Sequence, residues 1–262
     1  MTNIDTIIPE GFNLVTAKDR DGLLKAVDAE VTGIWPEFML HDTVANQHWA
    51  RLYSEFPEYQ FALFDKKSGR MAAAGNCIPL LWDEDPEKLP NEGWDWTVRT
   101  GFRNKSEEVQ PNTVSALSIA VSHEYRGRKL SGCMVEIMKE IGRRNGLSAL
   151  LAPVRPSLKP DYPLIPMENY MNWKNTAGLP FDPWLRVHVR GGGRIAGVCE
   201  ASMTIPGSVK DWKDWTGMEF PGSGRYVVED ALVPVEINTD QGTGLYIEPN
   251  VWVVHRIQYQ LN

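Results

Sequence analysis

The spacing of apolar side chains divides the chain into segments with a helical period and segments with a strand period. Leu23, Val27 and Val31 recur at helical spacing and predict a helix over 15–32, and a second helix is predicted over 42–55. Short apolar runs bounded by turn residues predict strands. In the first half of the chain these are 60–65 and 70–79, joined by a hairpin turn.

The clearest pattern is a strand, a polar loop, a helix and a second strand. Val114–Val121 alternates large and small side chains, and Ser122–Lys129 is polar. From Leu130 onward, apolar residues recur at helical spacing over about three turns, which predicts a strongly amphipathic helix. Gly146 follows as a left-handed cap, and Leu147–Val154 reads as a buried strand. The unit predicts two parallel strands with a right-handed crossover.

The remaining segments have weaker patterns. Residues 81–113 mix acidic residues, proline and tryptophan without sustained periodicity, so they are predicted to form a long loop or insertion. Short helices are predicted over 167–174 and 209–215. The later strands are predicted at 184–190, 194–199, 226–228, 232–237, 244–248 and 251–257.

Composition and charge narrow the classes of protein. The 262 residues carry 27 basic and 34 acidic side chains, a net charge of −7, which argues against a general nucleic-acid binder. No apolar run reaches the length of a membrane span, and no secretion signal is evident. Cys77, Cys133 and Cys199 are odd in number and widely spaced, which favours neither disulfides nor a zinc site. These features predict a cytoplasmic protein with no metal.

The loop that precedes the amphipathic helix carries the clearest chemistry. Residues 126–132 read Arg-Gly-Arg-Lys-Leu-Ser-Gly, between a half-buried strand and the first helical turn. Free backbone N–H groups and the helix dipole make such a turn a natural phosphate site, and three basic side chains add positive charge. The alternative is a solvated basic loop that caps an ordinary helix.

This segment resembles the acyl-CoA-binding motif of the GNAT superfamily of N-acyltransferases, Arg/Gln-x-x-Gly-x-Gly/Ala after a strand. Arg126 matches the first position, Ser131 is small where glycine or alanine is usual, and Lys129 replaces the motif glycine. The order of elements over roughly 15–200 is also similar to that family. The resemblance implies an α/β fold, a GNAT-like mixed central sheet flanked by helices. We expect a GNAT-like domain over 1–200 and a β-rich C-terminal extension over 201–262, packed on it.

The resemblance also implies acetyl-CoA, or another acyl-CoA, as co-substrate. In that family the loop amides hold the pyrophosphate and the preceding strand pairs with pantetheine. Carried onto this sequence, the expected cofactor-binding residues are Ile119, Ala120, Val121, Arg126, Gly127, Arg128, Lys129, Leu130 and Ser131.

Acyl transfer also needs a proton donor for the departing thiolate and a route for the amine proton. By resemblance, Tyr170 is the expected catalytic donor, with Tyr162 as its competitor. The general base is left open among His41, Glu92 and Asp95, with a water-mediated route as a further option.

For the acceptor, the resemblance points to Trp35 and Phe38 on one wall of its pocket. Trp94 is expected opposite, where acidic residues and tryptophans between 82 and 96 offer charge and cation–π contacts to a cationic amine.

The sequence therefore predicts an acyl-CoA-dependent N-acyltransferase that transfers acetyl to a small-molecule amine by direct attack. No nucleic-acid or membrane partner is expected, and a homodimer is left open. The alternatives are a non-catalytic small-molecule or sugar-binding protein, or a GNAT-fold enzyme that carries out O-acyl transfer or acyl-CoA decarboxylation.

Overall fold

The computed structural model describes residues 4–31 and 33–257, in which nine strands form one sheet. Thr32, the last residue of the first predicted helix, and 258–262 of the predicted extension lie outside the described residues. The strands are β1 (Phe12–Thr16), β2 (Gln60–Asp65), β3 (Met71–Leu80), β4 (Thr113–Val121), β5 (Ala149–Val154), β6 (Arg194–Ser208), β7 (Gly224–Tyr226), β8 (Val235–Asn238) and β9 (Thr243–Arg256).

Eight α-helices of the described residues flank the sheet. They are α1 (Ile4–Ile7), α2 (Leu23–Val31), α3 (Thr43–Glu55), α4 (Gly93–Ser106), α5 (Leu130–Arg144), α6 (Met167–Met171), α7 (Pro183–Arg190) and α8 (Val209–Thr216). Among the short 3-10 helices, Glu37–His41 precedes α3 and His123–Tyr125 follows β4.

The strand order is β1-β2-β3-β4-β5-β9-β8-β7, and β6 pairs with β9 off this path. Within the described sheet only β4 and β5 are parallel. A parallel pair needs a crossover connection, and α5 supplies it. The predicted mixed sheet flanked by helices is confirmed.

Successive residues of β3 face opposite sides of the sheet and show how the layers pack. Met134 of α5 closes over Gly75 on one face. On the other face, Asn76 donates a hydrogen bond of 2.9 Å to the Tyr53 hydroxyl of α3. Gly101 lets α4 approach the same sheet, since a Cβ there would meet the Ile78 side chain at 2.4 Å. The central strands are therefore covered on both faces.

The prediction of a helix over 15–32 is wrong in its first half. β1 occupies Phe12–Thr16 and pairs along its whole length with β2, and the helix begins only at Leu23. Pairing with a distant strand overrides the local helical spacing here. The helix predicted over 42–55 is confirmed as α3, whose N-cap Asp42 accepts a hydrogen bond from the Ala45 amide.

The prediction of a long loop over 81–113 is also wrong, because α4 occupies Gly93–Ser106. Most of this helix is buried, and its buried side chains include Asp95, Thr97, Thr100 and Asn104. Polar residues at buried positions hide the apolar stripe that helix prediction relies on.

Residues 184–190 form the helix α7 instead of the predicted strand. Asp182 caps it by accepting hydrogen bonds from the Trp184 and Leu185 amides, and Pro183 occupies the first turn. An N-cap aspartate followed by proline is a helix-start signal that outweighs the β-branched residues further on.

Two of the C-terminal strands, β6 and β9, are longer than predicted, whereas β8 is shorter, and all of them join the central sheet. β9 runs unbroken through the predicted gap at Pro249, and its residues Val251–Arg256 pair with β5. The domain boundary expected at residue 200 falls inside β6 and stays a prediction.

Candidate active site

The parallel strands β4 and β5 run together briefly and then separate. Residues 113–115 of β4 pair with residues 149–151 of β5. Beyond that point β5 remains paired to β9 through Val154. Residues 116–121 of β4 have no partner strand on the same edge within the described chain. Their outward N–H and C=O groups are available to an extended ligand.

A β-bulge lies at the point where the strands begin to separate. The register of β3 against β4 passes from Asn76 opposite Ser118 to Cys77 opposite Ala116, which leaves Leu117 unpaired. The Leu117 carbonyl accepts a hydrogen bond of 2.9 Å from the indole of Trp94. The first turn of α4 is therefore fixed to the bulge.

The loop after β4 turns the chain into α5 through two left-handed residues. Gly127 has φ of 78° and Lys129, the N-cap of α5, has φ of 61°. No side chain of the described residues caps the N-terminus of this helix. The first amides of α5 therefore lack helical partners and point outward, together with the positive end of the helix dipole. The segment over residues 122–132, called the anion loop from here on, is therefore suited to bind an anion.

A cleft of about 330 Å³ opens at this loop. Ile34, from the segment before α3, and Tyr125 contribute to its wall. Eight of the nine predicted cofactor-binding residues line it: Ile119, Ala120, Val121, Arg126, Gly127, Lys129, Leu130 and Ser131. The ninth, Arg128, places its guanidinium over the Tyr125 ring at 5.0 Å.

The backbone conformation of Lys129 explains why the GNAT motif has glycine at this position. A left-handed residue with a Cβ is disfavoured by about 1 kcal/mol relative to glycine. Lys129 adopts this conformation nevertheless. Its exposed side chain places a positive charge beside the cleft.

Tyr170, the expected thiolate donor, is 1% exposed and lies in an aromatic cluster with Tyr162, Trp173 and Phe181. Its hydroxyl donates a hydrogen bond of 2.9 Å to Asp182. Burial, followed by the Asp182 charge, raises its pKa above the ordinary value. Its catalytic role stays a prediction.

The expected acceptor-binding aromatics have different surroundings. Trp35 is half-buried in the segment before Pro36, while Phe38 is 2% exposed and packs against Trp212 and Tyr246. The ring of Trp94 lies near that of Trp49, with centroids 6.5 Å apart. Their role in acceptor binding also stays a prediction.

A buried polar network continues inward from Trp94. The backbone amide of Trp94 donates a hydrogen bond of 2.9 Å to the Ser202 hydroxyl, which donates one of 2.7 Å to the Asn250 side chain. Asn250 in turn donates a hydrogen bond to Glu248, whose carboxylate also forms an ion pair of 3.0 Å with Arg155. The network is satisfied by its own members and holds the N-terminus of α4 on the sheet.

Two other buried carboxylates are not satisfied in this way. One oxygen of Asp42 and one of Asp95 have no hydrogen-bond partner among the described residues. Burial, followed by the charge of Asp42, raises the pKa of Asp95 to about 8. Asp95 was among the expected bases. The sequence gives no sign that Asp42 belongs to the site, because its position before α3 is typical of a helix cap.

The other expected bases lie elsewhere. His41 stacks on Trp215 at 4.1 Å and contacts Glu37 at 3.2 Å. Glu92 is exposed immediately before α4. Neither lines the cleft at the anion loop.

In the described part of the chain, no helix is long and apolar enough to cross a membrane. The same residues contain no group of three histidine, cysteine, aspartate or glutamate side chains positioned to hold a metal ion.

No protein-family model matches the chain. It is 30% identical over 279 aligned residues to the arginine N-acetyltransferase avaD of Aspergillus versicolor, covering 95% of this chain and 96% of that protein. Among solved structures, it is similar to the loading GNATL domain of CurA from Lyngbya majuscula, with a TM-score of 0.58, 20% identity and coverage of 94% and 98% of the two chains. A GphF GNAT-like decarboxylase in complex with isobutyryl-CoA gives a TM-score of 0.57, 17% identity and coverage of 94% and 99%.

With the separated strands, the anion loop and a relative that spans the whole fold, the chain belongs to the GNAT superfamily. The predicted family is confirmed. The protein is an N-acyltransferase with acyl-CoA as its co-substrate, as the sequence predicts.

Proposed function

We propose that this enzyme transfers the acetyl group of acetyl-CoA to an amine of a small cationic amino acid of the arginine type. The observation that carries the proposal is the 30% identity, across 95% of the chain, to an arginine N-acetyltransferase. The buried carboxylates beside α4 support it, because a cationic acceptor needs negative charge in its site.

In this proposal the co-substrate follows the open edge of β4. The pyrophosphate binds the free amides at the start of α5, and Arg126 and Lys129 supply positive charge at the same cleft. Pantetheine extends along residues 119–121, whose edge carries no neighbouring strand in the described chain. This arrangement brings the thioester toward the bulge at Leu117.

The reaction is a direct attack. The neutral amine forms a bond to the thioester carbonyl carbon, and the carbon–sulfur bond breaks to release the CoA thiolate. The proton lost from the amine nitrogen balances the one gained by the thiolate, which gives an amide and free CoA. Tyr170 is the donor to the thiolate that the sequence predicts, but its hydroxyl already donates to Asp182, so we expect its loss to have little effect on the reaction.

The test is thiol release from acetyl-CoA with arginine, lysine or no acceptor, followed by mass spectrometry of the product. We expect release that depends on the amine, together with a 42 Da increase in the mass of the acceptor. Release without any amine, or transfer only to alcohols such as serine, would contradict the proposal. Loss of CO₂ from malonyl-CoA as the only activity would support the decarboxylase alternative instead.

A further inference from the structure

Two buried carboxylates lie beside the candidate active site with hydrogen-bonding capacity to spare. Asp42 is 0% exposed and Asp95 is 3% exposed. One oxygen of Asp42 accepts a hydrogen bond of 2.7 Å from the Ala45 amide, and the other has no partner in the described chain. Asp95 has one such oxygen as well. A buried carboxylate oxygen without a donor is costly, so each of these oxygens is suited to accept a hydrogen bond from a ligand.

The charges around the pair leave an excess of negative charge. Each pKa is raised, first by burial; Asp42 raises that of Asp95, and Glu248 adds to the effect on Asp42. The cation facing both is Arg99, which lies 3.9 Å from Asp95 and has a side chain 57% exposed. Arg155 is engaged by Glu248. One partly solvated guanidinium therefore faces two buried acids.

Both acids belong to segments that also reach the acyl-CoA site. Asp95 directly follows Trp94, whose indole donates to the bulge at Leu117 on the open strand. Asp42 ends the segment that begins near Ile34, which lines the cleft at the anion loop. The pair is therefore connected to the bulge on one side and to the cofactor cleft on the other.

We propose that Asp42 and Asp95 together bind the cationic group of the acceptor, supplying the carboxylate oxygens that its N–H donors need. This inference rests on the proposed function, because it assigns the recognition site for the same acceptor. A guanidinium suits two acids well, since its planar N–H groups can engage more than one carboxylate oxygen. Because both acids are buried, the side chains packed around them must separate for the acceptor to enter.

The experiment compares arginine with citrulline, its neutral isostere, in the wild type, Asp42→Asn and Asp95→Asn. Asparagine at 42 keeps an oxygen to cap α3 while removing the charge. We expect the wild type to prefer arginine at least 100-fold in kcat/KM and each variant to reduce that preference at least tenfold. The KM for acetyl-CoA should change less than twofold.

The matched control is Asp211→Asn, which alters another helix-capping aspartate, in the capping box of α8. It should leave the preference for arginine unchanged. An unchanged preference in both Asp42→Asn and Asp95→Asn would overturn the inference. A wild type that acetylates no cationic amine would contradict the proposed function itself. This result differs from an active wild type whose variants keep the preference for arginine, which contradicts only the inference about Asp42 and Asp95.

A second measurement uses only the wild type, in case a variant does not fold. Arginine binding is measured by calorimetry at pH 7 in two buffers with different ionisation enthalpies. A cation that pairs with Asp95 displaces its proton, so we expect proton release with arginine and none with citrulline. Arginine binding without proton release would contradict the assignment of Asp95.

Discussion

The anion loop and the proposed acceptor side of the active site are built in opposite ways. The anion loop is a continuous segment, residues 122–132, and its binding groups are largely backbone amides at the start of α5. The proposed acceptor side combines Asp42 before α3, Asp95 in α4 and the network around Glu248 in β9. Its binding groups are buried side chains from segments far apart in the chain.

Because of this contrast, the two regions are sensitive to different kinds of substitution. A backbone site depends on φ angles and on space for the ligand, so small residues matter more than side-chain chemistry. A side-chain site depends on burial and charge balance, so a single proton or a single substitution changes its energetics. Variants at Gly127 and Lys129 therefore test the anion loop, and the pH dependence of stability in Asp95→Asn tests the acceptor side.

The largest effect is expected from Gly127→Glu. The substitution places a Cβ at φ of 78° and a carboxylate beside the pyrophosphate site. We expect calorimetry to show a rise of roughly 100-fold in the Kd of acetyl-CoA. Gly146→Glu is the matched control, because Gly146 has φ of 76°, open space around its Cβ and a position after the far end of α5. An equal rise in the Kd of acetyl-CoA in both variants would contradict a specific role of the anion loop in binding.

The acceptor side is tested by the pH dependence of stability in wild type and Asp95→Asn. Burial and Asp42 raise the pKa of Asp95 to about 8, while the nearby Arg99 and the Thr204 amide lower it. The folded pKa lies above the unfolded one, so the folded state binds more protons and stability is lost as pH rises toward 8. Between pH 6 and pH 8 the wild type should lose about 2 kcal/mol of unfolding free energy relative to the variant. Parallel denaturation curves over this range would contradict the assignment.

The third test is Lys129→Gly in the anion loop. Glycine removes the strain of a left-handed lysine, so the free energy of unfolding should rise by about 1 kcal/mol. Loss of the cation should weaken acetyl-CoA binding roughly fivefold. The control is Glu108→Gly, at φ of 56°, which should give a similar gain in stability with no change in Kd. A tighter Kd for Lys129→Gly would show that the lysine hinders the co-substrate.

The smallest effect is expected from Tyr170→Phe. The hydroxyl loses its hydrogen bond to Asp182 in a buried cluster, so stability should fall by about 1 kcal/mol. We expect kcat to change less than threefold, because the hydroxyl is already engaged. A tenfold loss of kcat with unchanged stability would instead establish Tyr170 as the thiolate donor, and Tyr162→Phe is the control.

The same contrast explains what the sequence predicts well. The loop residues lie within one strand–turn–helix unit, so local periodicity and a short motif identify the strand, the helix and eight residues of the cleft. The sequence pattern does not identify residues 93–106 as a helix, because buried polar residues such as Thr97 and Thr100 interrupt its apolar stripe. The pairing of Asp42 with Asp95 depends on tertiary packing, and no local pattern encodes it.

β5, one of the two strands beside the cleft, pairs with two strands that lie at very different distances along the chain. β5 contacts β4 over three residue pairs, but it contacts β9, roughly 100 residues later, over six. Pairings between such distant segments form late and slowly, since the intervening chain must first be closed into a loop. During synthesis, the anion loop and α5 leave the ribosome long before β9 does. Because β5 pairs with residues 251–256, we expect the wall of the site opposite β4 to form only after those residues have joined the sheet.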